Sequence, residues 1–201
     1  MQHIVDNLVT NGVITAPSSA KGKLLQAAAK LFREKGYEKT TTRDLAAVVG
    51  ILSGSIFHHF KNKEAILYEV MRETILLNTE RLNHAVANAD RPELRLLELI
   101  KQELQFINGD TGEAMTVLVF EWRSLSPEKQ QDILKLREIY ERTWLDVIQE
   151  NIGAGKLHTD AFIFRRLLTG AVSWTINWYK QDKSMDIDTL AQQVLDTFIK
   201  P

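Results

Sequence analysis

Between Lys21 and Phe32 the apolar residues Leu24, Leu25, Ala28, Leu31 and Phe32 recur at the three- and four-residue spacing of a helix with one buried face. Gly36 follows as a stop, because glycine takes left-handed conformations past a helix end without a Cβ penalty. Thr41 or Thr42 can cap a second, short helix over residues 43–49, with Leu45, Val48 and Val49 on one face and Gly50 ending it. After Gly50-Ile51-Leu52, Ser53 can cap a third short helix reaching His59 or Phe60, its apolar side formed by Ile56, Phe57 and Phe60. Two short helices around a tight glycine-containing turn outline a helix-turn-helix. A fourth helix begins near Lys63 and runs past Leu82 through Ile66, Leu67, Val70, Ile75 and Leu76.

Further helix starts are marked by Asp90-Arg91-Pro92, Ser126-Pro127-Glu128, Thr159-Asp160 and Asp186, each a capping residue with proline or acid nearby. Interruptions fall at residues 108–112, 153–155 and 181–184. The pattern predicts an all-α fold of about nine helices, with no β alternation bounded by hairpin turns and no internal repeat. Residues 1–19, with Asn7, Asn11, Gly12, Pro17, Ser18 and Ser19, lack a long helical period. They read as a flexible N-terminal arm with one short amphipathic turn around Ile4 to Val9. The predicted organisation is that arm, a helix-turn-helix DNA-binding domain over 20–68, and a ligand-binding and dimerisation domain over 69–201.

Charge sharpens the division. The net charge of the chain is -1, yet residues 20–68 carry nine Lys or Arg against four acids, a local +5, and residues 69–201 carry 16 basic against 21 acidic side chains. A local basic face can bind phosphate while a distant acidic region cancels it in the sum. There is no cysteine, which excludes disulfides, thiolate metal sites and cysteine nucleophiles. No basic residue precedes an apolar run at the N-terminus, and no uncharged stretch approaches the roughly 20 residues of a membrane span. The expectation is a soluble, cytoplasmic protein with no membrane partner.

A recognition helix is short, exposes small or polar side chains toward base edges and is held by a buried apolar face. Ser53, Gly54, Ser55, His58 and His59 suit the groove side, while Ile56, Phe57 and Phe60 are expected to tie the helix to Leu31 and Phe32. Phosphates on either side need cations or helix N-termini, and Thr41, Thr42, Arg43, Lys61 and Lys63 are placed for that. The paired His58 and His59 also raise a metal site, but neighbouring helix positions diverge by roughly 100° and no other ligands cluster beside them. No metal and no cofactor are expected.

The run from Leu24 to Tyr37 (LLQAAAKLFREKGY), then Thr40-Thr41-Thr42-Arg43-Asp44-Leu45-Ala46, then Ser53 to Glu64 (SGSIFHHFKNKE), resembles the N-terminal motif of TetR-type repressors, over about 45 residues in register. The resemblance implies a TetR-like fold, phosphate contacts from Thr42 and Lys63, and residues 53–59 in the major groove of double-stranded operator DNA. One departure stands out. The position of Phe57 is usually tyrosine in that family, with a hydroxyl that reaches phosphate, so Phe57 implies weaker backbone anchoring, with Lys61 and His58 as substitutes.

All four tryptophans, Trp122, Trp144, Trp174 and Trp178, lie beyond residue 69. Aromatics at helical spacing are first of all core or interface. Residues 162–179 are apolar almost all round, and Ile187, Leu190, Ala191, Val194, Leu195, Phe198 and Ile199 form a cleaner stripe. Two such helices from each of two subunits would make a four-helix interface, the usual dimer of the resembled family. Two-fold symmetry also places heads about 34 to 36 Å apart, one turn of a near-palindrome. A homodimer is expected.

The segments 121–128, 137–144 and 168–179 resemble the branch of that family whose regulators respond to acyl-CoA or related CoA thioesters. Such a small-molecule effector needs an apolar tunnel and cations at its mouth. Leu104, Phe106, Ile107, Leu118, Phe120, Trp122, Trp144, Trp174 and Trp178 are candidates for the lining, and Arg123, Arg137, Arg165 or Arg166 for the mouth. The competing reading pairs those arginines with Glu121, Glu138 and Glu141 on solvated faces. An aromatic or drug-like ligand, or a helical ligand-binding dimer without DNA binding, stay open as alternatives. An enzyme is disfavoured: no HExxH, helical Glu-x-x-His set, glycine-rich phosphate loop or GxSxG elbow occurs, and no catalytic residue is assigned.

Overall fold

A computed structural model describes residues 2–180 and 185–199. Among them are ten α-helices: α1 (Gln2–Thr10), α2 (Ala20–Lys35), α3 (Thr42–Val49), α4 (Ser53–Ile56), α5 (Lys63–Ala87), α6 (Pro92–Asn108), α7 (Gly112–Phe120), α8 (Pro127–Gly153), α9 (Ala161–Ser173) and α10 (Ile187–Phe198). Two 3-10 turns, Trp122–Ser124 and Trp174–Asn177, follow α7 and α9. The all-α expectation holds, with α1 added. The interruption expected at residues 181–184 lies outside the described residues.

Local chemistry sets most of the boundaries. Ser19 caps α2 by accepting the Gly22 N–H, Asp160 caps α9 through Ile163 and Asp186 caps α10 through Thr189, each such cap contributing about 1 kcal/mol. Thr41 and Asp44 form a reciprocal capping box on α3. Gly50 ends that helix in the left-handed region at φ 76°, where a side chain would be strained.

The chain divides into two compact units. The first comprises Met1–Leu77 with Glu113–Arg137, the second Asn78–Gly112 with Glu138–Pro201, so α5 and α8 each contribute to both. In the first unit Leu24, Ala28, Phe32, Leu45, Ile56, Ile66, Leu67, Met71 and Val117 are buried. In the second, Leu96, Leu99, Leu104, Phe106, Trp144, Leu168 and Ala191 are buried. There α10 packs on α6, burying Leu190, Ala191 and Leu195.

Three local expectations are corrected. Within residues 1–19 the single amphipathic turn expected around Ile4 to Val9 is a nine-residue helix. This α1 places Ile4 and Leu8 with Ile14 in an apolar cluster against Leu76 and Leu77 of α5. The following loop is bonded to the same helix: Thr15 N and Oγ1 donate to Glu73 at 2.9 and 2.6 Å, and Arg72 donates to the Val13 carbonyl at 3.0 Å. Gly22 lets this loop cross α2, because a Cβ there would overlap the Ala16 carbonyl oxygen and lie 2.9 Å from Pro17 Cα.

The second correction concerns α4. Regular α-helix ends at Ile56, and Leu52 rather than Ser53 occupies the N-cap position, with no side-chain cap bond. Gly54 and Ser55 are weak helix formers, and the chain winds on by tighter bonds from Phe57 N to Gly54 O, His58 N to Ser55 O and His59 N to Ile56 O. Third, Phe57 is 56% exposed and does not join the core beside Ile56 and Phe60.

Candidate nucleic-acid interface

The helix-turn-helix is α3, the Gly50-Ile51-Leu52 turn and α4, with α2 packed on α3 and with Phe32, Ile66 and Leu67 buried in the same unit. Phe32 and Tyr37 meet edge to face at 5.3 Å between ring centroids, closing the α2–α3 loop over this core. Gly54, Phe57, His58 and His59 are exposed, and Ser53 and Ser55 half-buried. A Cβ built on Gly54 meets nothing within 4 Å. The residues expected on the reading surface therefore lie together along α4 and the turn after it.

Of the residues expected at phosphates, Thr41, Arg43 and Lys61 are exposed and Thr42 is half-buried. The Thr41 side chain is engaged in the capping box, accepting the Asp44 N–H at 3.1 Å. Lys63 is placed differently. Its ammonium donates to the carbonyls of Tyr37 (2.8 Å), Thr40 (2.9 Å) and Glu38 (3.4 Å), and lies 4.2 Å from the Tyr37 ring centroid. Three donors meet three acceptors, so Lys63 fastens the start of α5 to the loop that leads into α3. Burial, then the nearby Glu64 and Glu38 carboxylates, push the Tyr37 hydroxyl up to about 12.

Several contributors to this region were not legible in the sequence. Asn62 Oδ1 accepts the Ala65 N–H at 2.8 Å and opens α5. Glu121 accepts the Tyr37 backbone N–H at 3.2 Å, Arg33 pairs with Glu113 at 2.7 Å, and Glu64 accepts the Ser126 N–H at 2.7 Å and pairs with Lys129 at 3.0 Å. The Ser126 bond, foremost, holds the Glu64 carboxyl below its ordinary value. Asn62 follows the capping preferences; the others join segments with no sequence signal between them.

The residues expected to meet an effector fall in both units. Leu118, Phe120, Trp122, Arg123 and Arg137 are in the first, where Leu118 is buried and Phe120 exposed. Leu104, Phe106, Ile107, Trp144, Arg166, Trp174 and Trp178 are in the second, where the first four are buried. Trp174 and Trp178 are 66% and 51% exposed, continuing the exposed apolar face of Phe162, Ile163 and Leu167 on α9. Arg166 is exposed above the Phe162 ring.

Arg165 pairs with Glu141, as the competing reading had it, but not on a solvated face. It is buried, donating to Glu141 at 3.0 and 3.1 Å and to Glu103 at 3.2 and 3.3 Å, with its guanidinium 4.1 Å from the Trp144 ring centroid. Tyr140 donates to Glu103 at 2.9 Å. Burial opposes the Arg165 charge, but the Glu103 carboxylate and its neighbours outweigh it and the pKa is raised. Burial and Glu103 likewise hold the Tyr140 proton well beyond its ordinary range.

With this geometry in place, family relationships follow. Residues 24–70 match the family described as bacterial regulatory proteins, tetR family, and residues 89–200 match the tetracyclin repressor-like C-terminal domain. The chain belongs to the tetR family. This tetR-family chain is 30% identical over 182 residues to the HTH-type transcriptional repressor KstR2 of Mycolicibacterium smegmatis, covering 89% of this chain and 88% of that one. Among solved structures, that of the ketosteroid transcriptional regulator KstR2 of Mycobacterium tuberculosis is 27% identical with TM-score 0.82, covering 94% of this chain and 100% of that one. A crystal structure described as superantigen pfit is 48% identical with TM-score 0.86, covering 100% and 99%. AibR, crystallised with isovaleryl coenzyme A and operator DNA, shares the fold at TM-score 0.81 and 21% identity, covering 91% and 100%. The protein is a DNA-binding transcriptional repressor of this family.

Proposed function

We propose that this repressor acts as a cytoplasmic homodimer on a near-palindromic operator and is released by a small hydrophobic effector, an acyl-CoA or related CoA thioester. The observation that carries the DNA half is the strip of exposed Gly54, His58 and His59 with half-buried Ser53 and Ser55 on a helix-turn-helix flanked by exposed Arg43 and Lys61. In this reading Thr41, Thr42, Arg43 and Lys61 hold backbone, and Lys63 sets the loop that presents them. The exposed apolar face of α9, from Phe162 to Trp178, is the surface a second copy would cover. The outward side of α10 is polar, with Thr189, Gln192, Gln193 and Thr197 exposed, so α9 supplies the apolar part of that contact.

The effector reading is supported by the resemblance of segments 121–128, 137–144 and 168–179 and by the capacity of this fold, in AibR, to hold isovaleryl coenzyme A. The effector shifts the population between two states of the dimer, and coupling arises only through its unequal affinity for them. Fluorescence anisotropy on the DNA upstream of the chain's own gene, titrated with a panel of CoA thioesters, free acids and aromatic compounds, tests the proposal. Release by thioesters alone is expected. Release by aromatic compounds alone would replace the effector class, and failure to bind any duplex would leave a helical ligand-binding dimer.

A further inference from the structure

Two large apolar side chains stand in solvent at the ends of the reading helix. Leu52, immediately before α4, is 80% exposed and Phe57, immediately after it, is 56% exposed. Folding does not require them there, because Ile56 and Phe60 already anchor α4 and both are buried. Between them lie Ser53, Gly54, Ser55 and the buried Ile56, so the outer surface of α4 has little relief and an apolar group at each end. No acidic side chain occurs from residue 45 to 63, and Arg43 and Lys61 flank the segment in solvent. Exposed apolar groups in a stretch without acids and flanked by basic residues fit a polyanion that itself presents apolar groups.

We propose that Leu52 and Phe57 are specificity-determining residues that read the 5-methyl groups of operator thymines in the major groove, a proposal resting on the DNA reading above. Major-groove edges are otherwise donors and acceptors, and the thymine methyl is the one apolar group they display. Phe57 has no hydroxyl with which to bond phosphate, and Leu52 has no polar atom beyond its backbone. Each can gain only from an apolar partner. Ser53, Gly54 and Ser55, being small, let both ends approach the base edges.

The test removes the methyl and nothing else. Duplexes selected from a random pool by the full-length protein are resynthesised with deoxyuridine replacing one thymine at a time, and affinity is measured by anisotropy. The wild-type protein is expected to lose about three- to fivefold per contacted methyl, the worth of one buried methyl-sized group, at one or two positions in each half-site. Leu52→Ala and Phe57→Ala should bind the thymine duplex more weakly and each lose the discrimination at its own position. Melting temperatures equal to wild type are expected for these exposed sites; Leu52→Val and Phe57→Leu serve if either truncation unfolds. Selective binding with equal affinity for thymine and deoxyuridine at every position overturns this inference and leaves the DNA reading standing. Variants that keep full discrimination also overturn it, and failure to select any duplex overturns both.

Discussion

The Glu121 carboxylate accepts the backbone N–H of Tyr37 at 3.2 Å, joining the end of α7 to the loop that leads into the helix-turn-helix. Arg33 with Glu113, and Glu64 with Ser126 and Lys129, fasten the same segment to the head at two further points. All of these residues belong to one compact unit. The helix-turn-helix therefore carries residues 113–130 with it as part of its own fold. Glu121→Ala should cost about 1.5 to 3 kcal/mol, the range for a hydrogen bond to a charged group, and lower operator affinity. Calorimetry and anisotropy on Glu121→Ala and Glu121→Gln check this; Gln keeps an acceptor and should lose less.

Lys63 spends its three donors on carbonyls of residues 37, 38 and 40. Lys63→Ala should lower the melting temperature without DNA and weaken operator binding, while the slope of log affinity against log salt stays unchanged. Lys61→Ala should instead reduce that slope by about 0.9, the value for one lost phosphate contact, with no change in melting. A reduced slope for Lys63→Ala would return that side chain to the phosphate backbone.

Replacing Arg165 by methionine leaves the Glu103 and Glu141 carboxylates without their shared cation. Glu103 is almost wholly buried and Glu141 is 27% exposed, so the cost falls mainly on Glu103. A loss of about 3 to 5 kcal/mol is expected, as for breaking other buried ion pairs. The double variant Arg165→Met, Glu103→Leu should recover much of it. Thermal denaturation of the single and double variants decides the matter.

Burial, with Glu69 nearby, raises the Glu73 pKa despite the two bonds from Thr15. A carboxyl that holds its proton more tightly folded than unfolded loses stability as pH rises from the ordinary glutamate range through the raised value. Glu73→Gln keeps an acceptor for Thr15 and removes that loss. It should melt above wild type at neutral pH and together with it at about pH 3.5, below the ordinary glutamate value. Circular-dichroism melts across this range provide the comparison.

The legible parts of the fold were those governed by neighbours in sequence. Asp160, Asp186 and the Thr41 box marked helix starts because a cap bonds within three residues of itself. The course of α2, α3 and α5 followed from apolar spacing. What was hidden depends on distant partners. The amphipathic turn around Ile4 to Val9 was visible, but its extension to the nine-residue α1 and its packing, with Ile14 of the following loop, against Leu76 and Leu77 were not. Arg165 read as a surface cation because neither Glu103 nor the Trp144 ring is near it in sequence. At the reading surface the residue types were visible early, but the exposure of Phe57 required knowing that Ile56 and Phe60 suffice to fill the core.

The placement of the tryptophans gives the protein a built-in optical reporter. Trp144 is fully buried beneath a guanidinium, while Trp174 and Trp178 stand in water at the end of α9. If the proposed dimer forms through that face, emission from the last two should move to shorter wavelength on assembly, so a dilution series read by intrinsic fluorescence tests for it without any label. Trp174→Phe and Trp178→Phe assign the signal, and Trp144 supplies an internal standard within the same chain.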